Sequence, residues 1–273
     1  MRPAFALLIL FIIYSKSSWA QSTSTSGRLE GMGNVQVAIA DLFSQNQGNL
    51  ALLENHEVGM YSKQPFHLKE LSQYYLNGAF VSKWGNFGLK THYSGYNDFN
   101  KTQIGFGYGK KLWDNFSAGI QVNMHQYSIT NYGTSTFFTV EMGFSTKLSE
   151  SFDLGFHLFN PSNTNINTDN GLSIATKPLL NLGLCYHTDD YLISTEVSKE
   201  GTNVAPNLKV GAEYTLYKAL YLRAGINTNP HLFTAGFGTV WSNIKLDISY
   251  TYHQLLGSTP GISISYIFKK NEE

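Results

Sequence analysis

The chain lacks most of the usual means of stabilising an exported or membrane protein. Cys185 is its single cysteine, so no intrachain disulfide can form. Its longest apolar run, residues 4–14, is shorter than the roughly 20 residues of a membrane-spanning helix. Neither charge is in excess, because 19 Lys and Arg balance 19 Asp and Glu, so nucleic acid meets no basic field. Disulfide-stapled domains, helical membrane proteins and nucleic-acid binders are thereby excluded.

The N-terminus has the features of an export signal. Arg2 precedes the apolar run, and Ser18 and Ala20 place small residues at the two positions that a signal peptidase reads. We expect cleavage after Ala20, which makes residues 1–20 a signal peptide. The remainder has no charge block and no proline-rich linker, and this uniform composition predicts one domain.

From about residue 55 onward, apolar and polar residues alternate in one short segment after another, which is the period-2 signal of strands with two unlike faces. Ile120 and Val122, for example, alternate with Gln121 and Asn123. About fourteen such segments follow one another, each able to cross a bilayer as a tilted strand of roughly 9 to 11 residues. They lie near residues 55–63, 72–84, 86–95, 100–113, 115–129, 135–148, 151–159, 178–187, 190–199, 205–217, 219–227, 230–241, 243–253 and 260–269.

This pattern predicts an all-β fold, a transmembrane antiparallel β-barrel of about 14 strands. Such a barrel encloses a lumen too wide for wall side chains to fill, so the polar face lines the lumen and the apolar face meets lipid. A soluble β-sandwich needs the reverse arrangement, which alternation by itself does not exclude. The connections favour the barrel, because short turns alternate with longer loops. Trp84, Trp113 and Trp241 lie beside short turns, where an interfacial aromatic girdle is expected.

The segment from Gly27 to Asp41, GRLEGMGNVQVAIAD, resembles the N-terminal signature of the PorV/PorQ-type proteins, a branch of the FadL-like barrels. The stretch Phe159-Asn160-Pro161 and the terminal aromatic Phe268 are similar to features of the same family. The segment 47–52 departs from the family, which has Asn-Pro-Ala-Gly-Leu there, because the proline is missing. The resemblance implies fourteen strands in the outer membrane of a Gram-negative bacterium, with residues 21–54 as a short, partly helical N-terminal plug inside a barrel of residues 55–273.

Two sets of residues are candidates for the barrel interior. In the plug, Val35, Ala38, Ile39 and Leu42 have helical spacing and either pack on the wall or face a ligand cavity, with packing favoured. The charged residues of the lumen face form either a salt-bridge network that braces wall and plug or a selectivity lining for a polar permeant; their mixed signs favour bracing. The candidates are Gly31, Met32, Gly33, Val35, Ala38 and Ile39 in the plug, and Lys90, Glu141, Asp153, Glu196, Lys209, Glu213, Arg223, Lys245 and Asp247 on the wall.

The sequence contains no motif for catalysis or for a cofactor. Its eight histidines are scattered singly, without the spacing of a metal-binding pair. No Gly-x-Ser-x-Gly elbow is present. The glycine-rich stretch from Gly105 to Gly109 lacks the following helix start that phosphate binding needs. We therefore expect no enzyme, no catalytic or metal-binding residue and no cofactor.

The resemblance implies two alternative functions. The first is a PorV/PorQ-type barrel that acts through secretion-system or cargo proteins, as an accessory of type IX secretion or surface attachment. The alternative is a FadL-like passive transporter of hydrophobic small molecules across the outer membrane, which needs an apolar pocket beside the plug. Outer-membrane lipid is a partner in both. The mainly polar lumen predicted from the alternation counts against the transporter.

Overall fold

The computed structural model describes residues 26–131, 133–161, 165–167, 173–175, 177–202 and 204–269. The predicted signal peptide, residues 1–20, lies outside the described residues, as do residues 21–25 of the predicted plug. Within the described ranges, no helix is long and apolar enough to cross a membrane.

Almost all of the described chain is antiparallel sheet. The strands, in chain order, are β1 His56–Lys63, β2 Gln73–Phe80, β3 Asn86–Tyr96, β4 Phe99–Trp113, β5 Phe116–Ile129, β6 Gly133–Lys147, β7 Phe152–Phe159, β8 Asn165–Asn167, β9 Ser173–Ala175, β10 Leu179–His187, β11 Tyr191–Glu200, β12 Asn207–Tyr217, β13 Leu220–Thr228, β14 His231–Trp241, β15 Ile244–His253 and β16 Gly257–Phe268.

Fourteen of these strands close into one barrel, which confirms the predicted fold. Each barrel strand pairs with its sequence neighbours, and β1 pairs with β16 to complete the ring. β7 pairs directly with β10, because β8 and β9 form a separate two-stranded sheet in the longest loop. Two strand ends differ from the prediction by three residues or more: β2 ends at Phe80, where Val81 N donates to His56 Nδ1 (2.9 Å), and β16 already begins at Gly257.

The two faces of the wall differ as predicted. On β5, Gln121 and Asn123 are buried inside the barrel, whereas Ile120 and Val122 are exposed on its outer surface. The cause is the pleat, which sends successive side chains to opposite faces. An outer face of exposed apolar side chains is the surface that lipid covers.

The tryptophans mark one rim of the barrel. Trp84, Trp113 and Trp241 are 81%, 70% and 79% exposed. Trp84 lies in the connection 81–85, and Trp113 and Trp241 lie beside the short turns at residues 114–115 and 242–243. This placement is the predicted aromatic girdle at one membrane interface.

Residues 26–54 occupy the inside of the barrel and form the plug. It contains two short helices, α1 Gly27–Gly31 and α2 Gln47–Leu50. Side chains cap both N-termini: Ser26 Oγ accepts from Leu29 N (3.1 Å), and Asn46 Oδ1 accepts from Gly48 N (2.9 Å). Helix α1 lies against β14 and β15, and α2 lies against β4 to β6. The plug therefore touches opposite parts of the wall.

The helical spacing of Val35, Ala38, Ile39 and Leu42 does not correspond to a helix at these residues. All four side chains are buried, yet the chain between α1 and α2 consists of turns. Side-chain amides replace the helical ladder: Asn46 Nδ2 donates to Val37 O (2.7 Å), and Asn49 Nδ2 donates to Ile39 O (2.8 Å). These carbonyls are thus satisfied without helix formation.

Candidate functional site: the lumen and its plug

The main chain of the plug lies directly against glycine residues of the wall. Gly155 on β7 faces the carbonyl of Val37, and Gly211 on β12 faces that of Met32; a Cβ at either glycine would collide with the plug. Glycine permits such close backbone approach because it has no side chain. Similar approaches occur at Gly109, Gly119, Gly143 and Gly225.

Glu196, a predicted lumen charge, holds the middle of the plug. Its Oε2 accepts from the backbone N–H groups of Gln36 (2.8 Å) and Val37 (3.0 Å). Lys209 Nζ lies 2.7 Å from Glu196 Oε1 and also donates to Asn34 O (3.2 Å). All these groups are buried, so the carboxylate is balanced by a cation and by two amides.

A second set of predicted charges forms a chain of ion pairs from the plug into the wall. Arg28 on α1 contacts Glu213 (2.7 Å) and Asp41 (3.3 Å). Arg223 contacts the same Glu213 (2.5 Å) and Asp247 (2.7 Å). Burial by itself would lower the pKa of Arg28, but the carboxylates of Glu213 and Asp41 outweigh it and raise that pKa well above its usual value. The guanidinium therefore stays charged.

Glu141 and Lys90 hold the α2 end of the plug. Glu141 Oε2 accepts from Gln47 Nε2 (2.8 Å) and contacts His157 Nε2 (2.9 Å). Lys90 Nζ donates to the carbonyl of Ser44. The two remaining predicted charges pair within the wall instead: Asp153 with His187 (3.0 Å) and Lys245 with Glu57 (3.1 Å).

Glu30 is a central contact that the sequence analysis missed. It lies on α1 and is buried. Its carboxylate accepts from the Tyr61 hydroxyl, from Lys63 Nζ (3.2 Å) and from Thr251 Oγ1 (3.0 Å). It thereby connects the plug to β1 and β15. A single acidic residue in a short segment carries no periodic signal, so its partners on distant strands could not be inferred.

A row of directly opposed residues crosses the lumen face of six neighbouring strands. All but one carry a ring, and neighbouring rings stack, with centroid separations of 5.6 Å, 4.3 Å and 4.8 Å for Tyr61–Tyr75, Tyr75–His92 and His125–Phe137. We call this set the ring row. From β1 to β6 its members are Tyr61, Tyr75, His92, Gln103, His125 and Phe137.

Near the tryptophan rim, a cavity of about 170 Å³ lies beside α1 and is lined by charged side chains, among them Arg28, Asp41, Glu57 and Lys245. Within the part of the chain that the structure describes, no three His, Cys, Asp or Glu side chains are grouped so that they could hold a metal ion. The interior thus combines the ring row with the polar and charged wall side chains that contact the plug.

A closed antiparallel barrel of fourteen strands, apolar outside, polar inside and filled by its own N-terminal segment, defines an outer-membrane β-barrel of a Gram-negative bacterium. No protein-family model matches the sequence, and no curated protein is similar to it. The PorV/PorQ resemblance is therefore not shown.

Solved structures do share the fold. The CymD monoaromatic hydrocarbon channel matches with a TM-score of 0.72 at 11% identity, over 92% of this chain and 100% of that one. The toluene transporter TodX of Pseudomonas putida matches with a TM-score of 0.69 at 10% identity, over 89% and 98%. A FadL homologue of Pseudomonas aeruginosa matches with a TM-score of 0.68 at 11% identity, over 90% and 98%. At such identities the likeness is one of fold.

Proposed function

We propose that the barrel is a passive channel for small hydrophobic molecules. The observation that carries this proposal is the ring row, which lays aromatic surface along a lumen face that alternation alone predicts to be polar. Stacked rings attract apolar and aromatic guests through their faces and edges. A row of several such rings gives repeated weak contacts, and passage requires binding that is favourable enough for entry and weak enough for release.

The fold likeness supports the same proposal. Two of the similar structures are described as a monoaromatic hydrocarbon channel and as a toluene transporter. The PorV/PorQ alternative, in which secretion or cargo proteins are the partners, has only the sequence resemblance in its favour and stays a prediction. In the proposed channel, the ring row takes the place of the apolar pocket that was expected beside the plug.

In the proposed channel the plug is the barrier. It is held by main-chain contacts with wall glycines and by buried ion pairs, so passage requires it to shift locally. The ion pairs among Arg28, Glu213, Arg223 and Asp247 and the Glu196–Lys209 pair then brace the resting plug. This bracing role is favoured over a selectivity lining, because most of the charges are paired with each other and not left to attract a permeant.

The test is uptake of the hydrophobic fluorophore 1-N-phenylnaphthylamine by whole Gram-negative cells that express the chain. Phe137 and Phe138 are a matched pair, because Phe137 is 6% exposed in the lumen and Phe138 is 62% exposed on the outside. We expect Phe137→Ala to slow uptake about threefold or more and Phe138→Ala to leave it unchanged. Uptake no faster than in cells without the chain would refute the channel.

A further inference from the structure

The ring row is interrupted at one position. Gln103 stands between His92 and His125, where the pattern of neighbouring strands would place another ring. Its amide is turned away from the row, because Gln103 Nε2 donates to Asn123 Oδ1 (3.2 Å). Asn123 is opposite Gly105, which is the next lumen-facing residue of β4 towards the tryptophan rim. We call the position between His92 and His125 the Gln103 gap.

The width of the Gln103 gap suits one aromatic ring. Neighbouring strands lie roughly 4.8 Å apart, so residues two strands apart are separated by roughly 10 Å. A planar ring midway would lie about 5 Å from each imidazole, within the range of aromatic stacking. The existing stacks of the row have the same spacing, 4.3 Å between Tyr75 and His92 and 4.8 Å between His125 and Phe137. A guest ring would therefore continue an existing stack.

A cation lies one lumen-facing position along β4 from the gap. Lys101 precedes Gln103 on the same face of β4, roughly 6.6 Å towards the loop end of the strand. Its Nζ is held over the rings of Phe99 (5.3 Å) and Tyr127 (5.2 Å). Among the described residues no carboxylate forms an ion pair with Lys101, in contrast to Lys63, Lys209 and Lys245, which each have one.

His92, which borders the gap, also carries a polar atom without a partner in the described part of the chain. His92 Nε2 is buried and has no hydrogen-bond partner within the described ranges, although a buried nitrogen of this kind normally has one. Ring, cation and free nitrogen lie within one short stretch of β3 and β4. An apolar hydrocarbon would use only the first of these three features.

We propose that the Gln103 gap is a binding site for small aromatic carboxylates, with the ring stacked between His92 and His125 and the carboxylate on Lys101 Nζ. This inference rests on the proposed channel function and names the class of molecule that it selects. The carboxylate gains a charge-assisted bond, and the ring gains two stacking partners. Aliphatic acids would have the charge without the stacking, and neutral aromatics would have the stacking without the charge.

The experiment uses the purified full chain in detergent and measures binding of 4-fluorobenzoate, fluorobenzene and cyclohexanecarboxylate by fluorine NMR and calorimetry. We expect 4-fluorobenzoate to bind most tightly. Lys101→Gln should weaken 4-fluorobenzoate at least tenfold and leave fluorobenzene unchanged. Gln103→Phe should abolish the binding of both 4-fluorobenzoate and fluorobenzene, because the new ring fills the gap. Lys111→Gln, a charge change on the same strand near the tryptophan rim, is the matched control and should alter neither.

Equal affinity for 4-fluorobenzoate and cyclohexanecarboxylate, or an unchanged affinity in Lys101→Gln, would overturn the aromatic carboxylate site. The fluorophore uptake measured in cells separates this failure from that of the channel. Normal uptake without 4-fluorobenzoate binding leaves the channel standing and removes only the site. Absent uptake removes the channel itself.

Discussion

Lys209 and Glu196 form an ion pair with a separation of 2.7 Å, and both side chains are almost completely buried between the wall and the plug. The same carboxylate accepts two backbone amides of the plug. Removal of one partner of a buried ion pair leaves the other charge buried and unpaired, which typically lowers the folding stability by about 3 to 5 kcal/mol, whereas removal of both partners costs much less.

Glu196→Gln should therefore destabilise the barrel by about 3 kcal/mol and loosen the plug. Thermal unfolding in detergent measures the first effect, and hydrogen exchange at the amides of Gln36 and Val37 measures the second. Glu196→Gln combined with Lys209→Met should recover most of the stability, because no unpaired charge remains. A double variant no more stable than the single one would show that the pair is not the cause.

The close contact between the plug and the wall glycines leads to a second prediction, which concerns how well the plug seals the lumen against ions. Gly211→Ala places a methyl group where the carbonyl of Met32 lies, so we expect the plug to be displaced and ion conductance in planar bilayers to rise several-fold. Gly78→Ala is the control, because the nearest atom to its added Cβ would be 3.9 Å away. Unchanged conductance in Gly211→Ala would mean that the plug tolerates the shift.

A disulfide should show whether the plug moves during transport. A Cβ at Gly183 would lie 3.5 Å from that of Ala38, within the range of disulfide geometry. In a Cys185→Ala background, Ala38→Cys with Gly183→Cys should block fluorophore uptake when oxidised and restore it on reduction. Equal uptake in both redox states would establish a path that leaves this part of the plug in place.

Tyr61 links the ring row to the plug through its hydroxyl on Glu30. Tyr61→Phe keeps the ring and removes that hydrogen bond, so we expect a loss of about 1 kcal/mol with little change in stacking. Chemical unfolding in micelles measures the loss. Tyr75→Phe is the comparison, because the Tyr75 hydroxyl donates to Gln73 on its own strand and not to the plug. Similar losses in the two variants would argue against a special role for the Glu30 contact.

The wall was predictable because its determinants are local. The alternation of Ile120 and Val122 with Gln121 and Asn123 is visible within one strand, and it fixes both the strand and its lumen face. The plug was not predictable in this way. Val35 and Ala38 have helical spacing by coincidence. The carbonyl of Val37 between them accepts from Asn46 and Asn49, and no periodicity reports such contacts.

The candidate site was likewise predictable only where its determinants are local. The wall charges were placed in the lumen by strand parity, and the structure finds them there. Their partners were not predictable, because Glu213 and Arg28 are 185 positions apart in the sequence and meet only in the closed barrel. The ring row likewise depends on registers between strands, which alternation leaves open: Tyr75 faces His92 only in the observed pairing.

The plug precedes β1 in the sequence, and the seam between β1 and β16 joins the first and last strands of the barrel. The plug main chain lies against β7, β12 and β13, and Gly27 N donates to Ser263 Oγ on β16 (3.2 Å). We therefore expect β16 to pair with β1 around a plug that is already in place. Assembly then ends with the pairing of β1 and β16, which are far apart in sequence, and such long-range pairing is slow. A chain truncated before β16 would remain an open sheet and leave the plug uncovered.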